Sequence, residues 1–274
     1  MARTDLSGAV DDDHLVRLWL AGRPNSTIRV YKPVAHRFLT VLGKTVREAT
    51  VADIIEWFEA LTGATATIAR RVSTVKSLLT FAWRTGYSLF NVGRVLKCVK
   101  VTDKLHERII DEANVKALVD AAPEGRDRAL VRLLYVGGLR ISEAIALRPI
   151  DLGVGRVTVL GKGSKARTIV VPETVLGPLR ALCTNDPYAP IFQSYRSKPL
   201  GVRYAREIIY QAARKAGLKL SPHWLRHAMA SHALDHGCPI HIVQKSLGHS
   251  NVSTTSRYLH VRPDQGASQY LVPV

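Results

Sequence analysis

His223-Trp224-Leu225-Arg226-His227 opens a helical segment near the end of this 274-residue chain, and Leu247-Gly248-His249-Ser250 follows at a turn. Arg257-Tyr258 comes nine residues after His249, and upstream Gly138-Leu139-Arg140-Ile141-Ser142-Glu143 sets another arginine at a helix start. Arginines, histidines and a tyrosine in this order suit chemistry on a phosphodiester. Guanidinium forks hold the oxygens, imidazoles move protons near neutral pH, and a phenol can attack. His223 and Arg226 are three residues apart, so one helical face presents both. Ser221-Pro222 makes a reasonable helix start, where a phosphate would meet the positive end of the dipole. Tyr258 is the candidate nucleophile. A free phenol has a pKa of about 10, so it needs a base and a cationic pocket to attack at neutral pH.

Each residue also has a bland reading when taken singly: a core histidine, a structural arginine, a packing tyrosine. The spacing of the whole set is what favours a site. Gly137-Gly138 allows close packing that brings the Arg140 guanidinium into a cavity. Glu143, three residues on, can orient a basic neighbour.

These residues must be held by elements that the hydrophobic pattern outlines. Asp11 to Asp13 precede a helix through Leu20, as a helix N-terminus prefers. Asn25 or Ser26 can cap a second helix, which Pro33 would kink or delay. Thr50-Val-Ala-Asp53 has the form of a capping box. Thr65 to Trp83 is the longest helix, with Ile68, Val72, Val75, Leu78, Leu79 and Ala82 at helical spacing and Gly86 as its stop. Its opposite face carries Arg70, Arg71, Lys76 and Arg84, read as contacts to a nucleic-acid backbone. Val92 to His106 lacks an apolar stripe and reads as a linker whose lysines could follow phosphates. Beyond it, helices are predicted at 111–122, 127–136, 142–147, 173–182, 201–216, 222–236 and 240–247. The period changes at Arg156–Leu160 and Arg167–Val171, two β-branched runs joined by Gly161-Lys162-Gly163-Ser164-Lys165-Ala166, which is a hairpin signal. The expected fold is mainly α with a small β-hairpin sheet, in two domains over residues 1–101 and 107–274 with a linker at 102–106.

The 39 basic and 22 acidic residues leave a formal charge of +17 and a pI near 10.1, which favours a polyanionic partner. The excess is spread along the chain: residues 1–105 hold 16 basic and 9 acidic side chains, and 106–274 hold 23 and 13. No basic tail dominates, so the charge belongs to folded surfaces. Cys98, Cys183 and Cys238 are widely separated and fit a reducing compartment without disulfides or a zinc site. No signal peptide or membrane-spanning run is evident. A cytoplasmic, nucleoid-associated protein is expected.

Arg140, His223, Arg226, His249 and Tyr258, with Lys162 on the hairpin between them, make the chain resemble the tyrosine recombinase family of phage integrases and Xer-type recombinases. The resemblance runs from about residue 13 to the C-terminus and is far more specific in the second half. It implies a two-domain clamp: a helical core-binding domain and a catalytic domain, with duplex DNA passing between them. Tyr258 would attack the scissile phosphate, giving a 3′-phosphotyrosyl link and a free 5′-hydroxyl. That link stores the bond energy, so no cofactor is needed. Arg140 and Arg226 would stabilise the pentacoordinate state, His249 would donate a further hydrogen bond, and His223 would accept the tyrosine proton. Lys162 matches the family lysine that protonates the departing 5′ oxygen; an ordinary exposed turn charge is its alternative. Lys165 and Arg167 read as contacts to the DNA backbone. The partners implied are a double-stranded recombination site and three further copies of the chain, a homo-tetramer on two sites that passes C-terminal segments between neighbours. Pro263 to Val274 is the segment available for that exchange. About ten residues precede the first helix, too few for the arm-binding domain of larger integrases, so a simple Xer-like system is expected, with room for accessory proteins.

Three rivals stand against this reading. A metalloenzyme could use His223/His227 and His232/His236, each pair four apart, but HExxH is absent and carboxylates are scarce, so no metal is expected. A non-catalytic DNA-binding protein explains the charge but leaves Tyr258 unused. A type IB topoisomerase shares the chemistry but not the recombinase-like first half. The Gly161-Lys162-Gly163 run lacks the Walker spacing, which excludes a nucleotide loop.

Overall fold

The computed structural model describes residues 4–102, 105–161, 166–248, 255–256 and 258. The chain divides into two compact units, Met1–Asp103 and Lys104–Val274.

The first unit is helical: α1 (Asp12–Leu20), α2 (Asn25–Leu42), α3 (Val51–Glu59) and α4 (Thr65–Arg84). Asp11 caps α1, its carboxylate accepting the His14 amide at 2.6 Å. The capping box at α3 is formed, with Asp53 accepting the Thr50 amide at 2.7 Å and the Thr50 hydroxyl accepting the Asp53 amide. At α2 the expected side-chain cap is not used: Pro24 is the cap residue and helix begins at Asn25. Pro33 neither breaks nor delays α2. It and Arg29 lie on the exposed side, so the carbonyl left without its usual donor faces solvent. The apolar stripe of α4 (Val72, Val75, Leu78, Leu79, Ala82) packs on Leu15, Trp19, Phe38 and Ile54. Phe38 and Trp57 meet edge to face with centroids 5.3 Å apart.

A 3-10 turn at Val92–Val95 and buried Leu96 pack against this core. The front of the segment read as a linker is therefore structure belonging to the first unit.

The second unit holds α5 (Glu112–Ala121), α6 (Arg126–Val136), α7 (Ile141–Ile145), α8 (Glu173–Ala181), α9 (Val202–Lys215), α10 (Pro222–Asp235) and α11 (Ile240–Leu247). Its antiparallel sheet runs β1 (Leu152–Gly153), β2 (Arg156–Leu160), β3 (Ala166–Val170), in that order. The two long strands are those expected, with β3 one residue earlier than predicted. The two-residue β1 was not foreseen, because so short a strand carries no period.

Register decides what the sheet offers the site. Val157 pairs with Ile169 and Val159 with Arg167. Paired residues share a face, and alternate residues along a strand do too. Val157, Val159 and Ile169 are buried against the helices, so Arg167 must point to the same side.

α10 runs through the middle of the unit. Leu225, Arg226, Ala228, Ala230, Ser231, His232 and Leu234 are all buried on it. Its small residues leave space for α6 to approach closely. The turn after α6 exploits this: Gly138 has φ +56°, and a Cβ there would stand 2.5 Å from Met229 Cε and 3.1 Å from Leu247 Cδ2. Gly138→Ala combines a left-handed backbone with a clash. We expect it to lower the stability of this unit by about 1–3 kcal/mol, read as a shift in urea midpoint. An unchanged midpoint would show that the turn can relax.

Candidate active site

Arg226 is 1% exposed, the largest side chain buried so completely among the described residues. Its Nη1 donates to the Gly138 carbonyl at 2.6 Å and its Nη2 to the Leu247 carbonyl at 2.5 Å. Gly138 lies just past the end of α6, and Leu247 is the last residue of α11. The cation therefore sits at the negative ends of two helices, where carbonyls lack helical donors. Burial, and then Arg140 beside it, pushes its pKa down to about 10, while Glu143 and Tyr258 act in the opposite sense. It stays charged at neutral pH.

Arg140 is the N-cap of α7. Glu143 accepts its amide at 2.9 Å and its Nη1 at 2.8 Å. The same carboxylate takes Arg167 Nη1 at 3.1 Å and Nη2 at 2.8 Å. Arg167 Nε donates to the Ser246 carbonyl at 3.0 Å, so β3, α7 and α11 meet at one guanidinium. Arg167, expected to contact DNA, has a side chain only 11% exposed and spends its donors on protein. This corrects the sequence reading. The cause is the β2–β3 register, which turns residue 167 towards the helices. Arg140 differs, keeping 41% of its side chain exposed.

Glu143 is the one carboxylate among these cations in the described site. Burial alone would raise its pKa, but the Arg167 and Arg140 hydrogen bonds overcome that and hold it at about 2.

His223, the second residue of α10, keeps an exposed edge. Enough protein nonetheless surrounds its ring that desolvation lowers its pKa, and Arg226, Arg140 and Arg108 lower it further. It is neutral at neutral pH. Its ring lies 4.7 Å from that of His227, one turn along α10. Tyr258 is 5% exposed, and its hydroxyl sits 2.7 Å from His227 Nδ1. The structure thus seats the nucleophile candidate on His227, where the sequence reading assigned its proton to His223. His227 was considered only as half of a metal pair. Its position directly after Arg226, four residues from His223, was the signal that could have found it.

Arg140, His223, Arg226 and Tyr258 come together around the head of α10. Lys162, Lys165 and His249 lie outside the described residues, although the pairing of Leu160 with Ala166 fixes the base of the hairpin that carries both lysines. The cations of α4 do not share one surface. Arg70 and Arg71 border a cleft of about 430 Å³ with Arg29 and Arg37. Lys76 and Arg84 border another of about 650 Å³ with Arg23 and Trp19. Arg71 Nη1 donates to the Thr62 carbonyl at 3.1 Å, and the Lys76 ammonium is bonded to the Leu96 carbonyl. Arg70 and Arg84 are exposed.

Among the described residues no group of three metal-ligating side chains occurs. His232 Nδ1 instead meets the Tyr135 hydroxyl at 2.9 Å, and His236 pairs with Glu112 at 3.2 Å. No described helix is long and apolar enough to cross a membrane.

The phage integrase family profile matches residues 108–265. A tyrosine recombinase XerC of Halalkalibacterium halodurans is 34% identical over 74% of this chain and 73% of its own. A tyrosine recombinase XerD of Neisseria meningitidis is 33% identical over 91% of this chain and 92% of its own. Among solved structures, the XerH site-specific recombinase bound to palindromic difH substrate aligns with a TM-score of 0.76 at 19% identity, covering 94% of this chain and 84% of that one. A lambda integrase dimer bound to a core site aligns with 0.75 at 18% identity, covering 93% and 95%. Both structures share this fold.

Removing the counter-charge at the site should be costly. Glu143→Gln leaves Arg140 and Arg167 without their carboxylate, and we expect a loss of about 3 kcal/mol at neutral pH. The ordinary pKa, 4.5, lies above the folded value of about 2. Native Glu143 therefore stabilises fully above pH 4.5, and that contribution fades as pH falls towards 2. The variant should show a flatter urea midpoint across that window; an equally steep decline would place the acid sensitivity elsewhere.

Proposed function

The chain belongs to the phage integrase family and is a Xer-like site-specific DNA recombinase, and from that premise we propose that it breaks and rejoins strands through a 3′-phosphotyrosyl bond at Tyr258. The observation that carries this assignment is the position of the Tyr258 hydroxyl, buried beside Arg226 at the head of α10 where Arg140 and His223 face outward.

Arg140 and His223 meet the scissile phosphate, and Arg226 supplies positive charge from beneath it. The guanidinium groups neutralise the charge that grows as the phosphorus becomes pentacoordinate, and they are already fixed before substrate arrives. Loss of one such donor typically costs about 10²–10³ in rate. His249 contributes a further hydrogen bond, and Lys162 protonates the departing 5′ oxygen. The free 5′-hydroxyl then attacks the phosphotyrosine of a partner strand and releases Tyr258. Arg70 and Arg84, exposed on α4, contact the DNA backbone. Relaxation of the type IB topoisomerase kind is not favoured, because the curated relatives aligned along this chain are recombinases.

A lambda integrase tetramer bound to a Holliday junction has this fold, with a TM-score of 0.75. We infer the same assembly here, four copies on two sites, with the segment after Tyr258 passing to a neighbour. That segment lies outside the described residues. Deleting Gln265–Val274 should reduce tetramer formation on paired sites more than binding of a single site, as seen by gel mobility. Unchanged tetramers would remove the segment from the assembly.

The central test begins with genomic DNA captured by the protein and sequenced to give its site. A nicked version of that site, which loses the 5′-hydroxyl fragment on cleavage, should trap a covalent protein–DNA adduct. Tyr258→Phe should bind the site as tightly and form no adduct. Adduct formation by that variant would overturn the assignment.

A further inference from the structure

We propose that His227 is a catalytic residue of the cleavage step: it holds the Tyr258 hydroxyl and takes its proton as the phenol attacks. This rests on the assignment of Tyr258 as nucleophile and specifies how that nucleophile is activated.

The geometry supports it directly. The 2.7 Å separation between Tyr258 Oη and His227 Nδ1 is that of a short O–H···N hydrogen bond. A general base must lie within hydrogen-bond reach of the proton it abstracts, and His227 does. It sits on α10, a rigid helix packed against α5, α6 and α11, so its ring is placed by the scaffold rather than by a loop. A neutral imidazole with its proton on Nε2 presents Nδ1 as an acceptor. His223, the other imidazole on this face, loses basicity to burial and then to the nearby Arg226, Arg140 and Arg108. His223 also keeps an exposed edge, as suits a group that meets the phosphate. The two histidines, 4.7 Å apart, thus divide the labour.

In the step itself, the Tyr258 Oη–P bond forms and the P–O5′ bond breaks. The phenolic proton passes to His227 Nδ1, giving an imidazolium, and the departing 5′ oxygen takes a proton from a separate general acid. In rejoining, the imidazolium returns its proton to the phenolate as the 5′-hydroxyl attacks.

His227→Ala and His227→Asn test this with the nicked site. The Asn amide oxygen can accept the Tyr258 hydrogen bond but cannot take the proton at neutral pH. Both variants should bind a single site as the native protein does, and form the covalent adduct about 10²–10⁴ times more slowly. The same loss should appear on a substrate whose bridging 5′ oxygen is replaced by sulfur. A thiolate leaves without a proton, so that substrate spares a defect in the general acid and not one in the base. Native-rate adduct formation by the Asn variant shows that His227 only positions the tyrosine, and overturns the proposal. Full recovery of either variant on the sulfur substrate does the same, by assigning His227 to the leaving group. Adduct formation by Tyr258→Phe is the distinguishable outcome that defeats the underlying assignment instead.

Discussion

The second unit is organised around one buried charge. Placing a guanidinium in a protein interior is expensive unless every donor finds a partner. Arg226 meets that condition with carbonyls at the ends of α6 and α11, positions where a helix has spare acceptors and a partial negative charge. The solution imposes demands elsewhere. The chain after α6 must bend back so that the Gly138 carbonyl points inward, which needs a left-handed residue without a Cβ. α11 must end where Leu247 can accept, and Gly248, with φ +66°, ends it there. Three helices are locked together by a cation that also forms the floor of the site.

Charge balance explains the remaining geometry. Arg140, Arg167 and Arg226 converge, and Glu143 is the carboxylate set among them. Two of its cations are bound at once, and its own acidity rises to suit. Burial depresses the basicity of His223, and the surplus positive potential lowers it further. Such a site is electrostatically incomplete alone and is completed by an anion. On the proposed function a phosphodiester supplies that anion, and its oxygens suit forked donors of this kind.

Much of this was readable from residue order. A period-3.6 stripe located α4, and the Thr50–Asp53 box located α3. The β-branched runs with glycines between them located the hairpin. The convergence of Arg140, His223, Arg226 and Tyr258 was legible because their types and order carry a chemical logic. Three things were not. Arg167 looked like a surface cation because a strand has two faces, and only pairing with Val159 settles which face it takes. His227 was hidden because its role depends on where Tyr258 packs, a contact between residues 31 apart in sequence. Val92–Leu96 read as linker because a 3-10 turn lacks the period that marks a packed helix.

The site divides its groups by exposure, and this bears on control. Arg140 and His223 reach solvent, whereas Arg226 and Tyr258 are 1% and 5% exposed. A backbone phosphate approaching this surface would meet the outward pair before the phenol, which is only 5% exposed. On the proposed assignment, the exposed pair captures the phosphate and the phenol, still bonded to His227, attacks it. The hydrogen bond that holds the hydroxyl is worth about 1 kcal/mol net, and on the proposed mechanism it is kept until its proton passes to His227 in the attack. An enzyme that stores a broken strand as a covalent bond gains from a buried nucleophile, because each premature attack would leave a protein on the DNA.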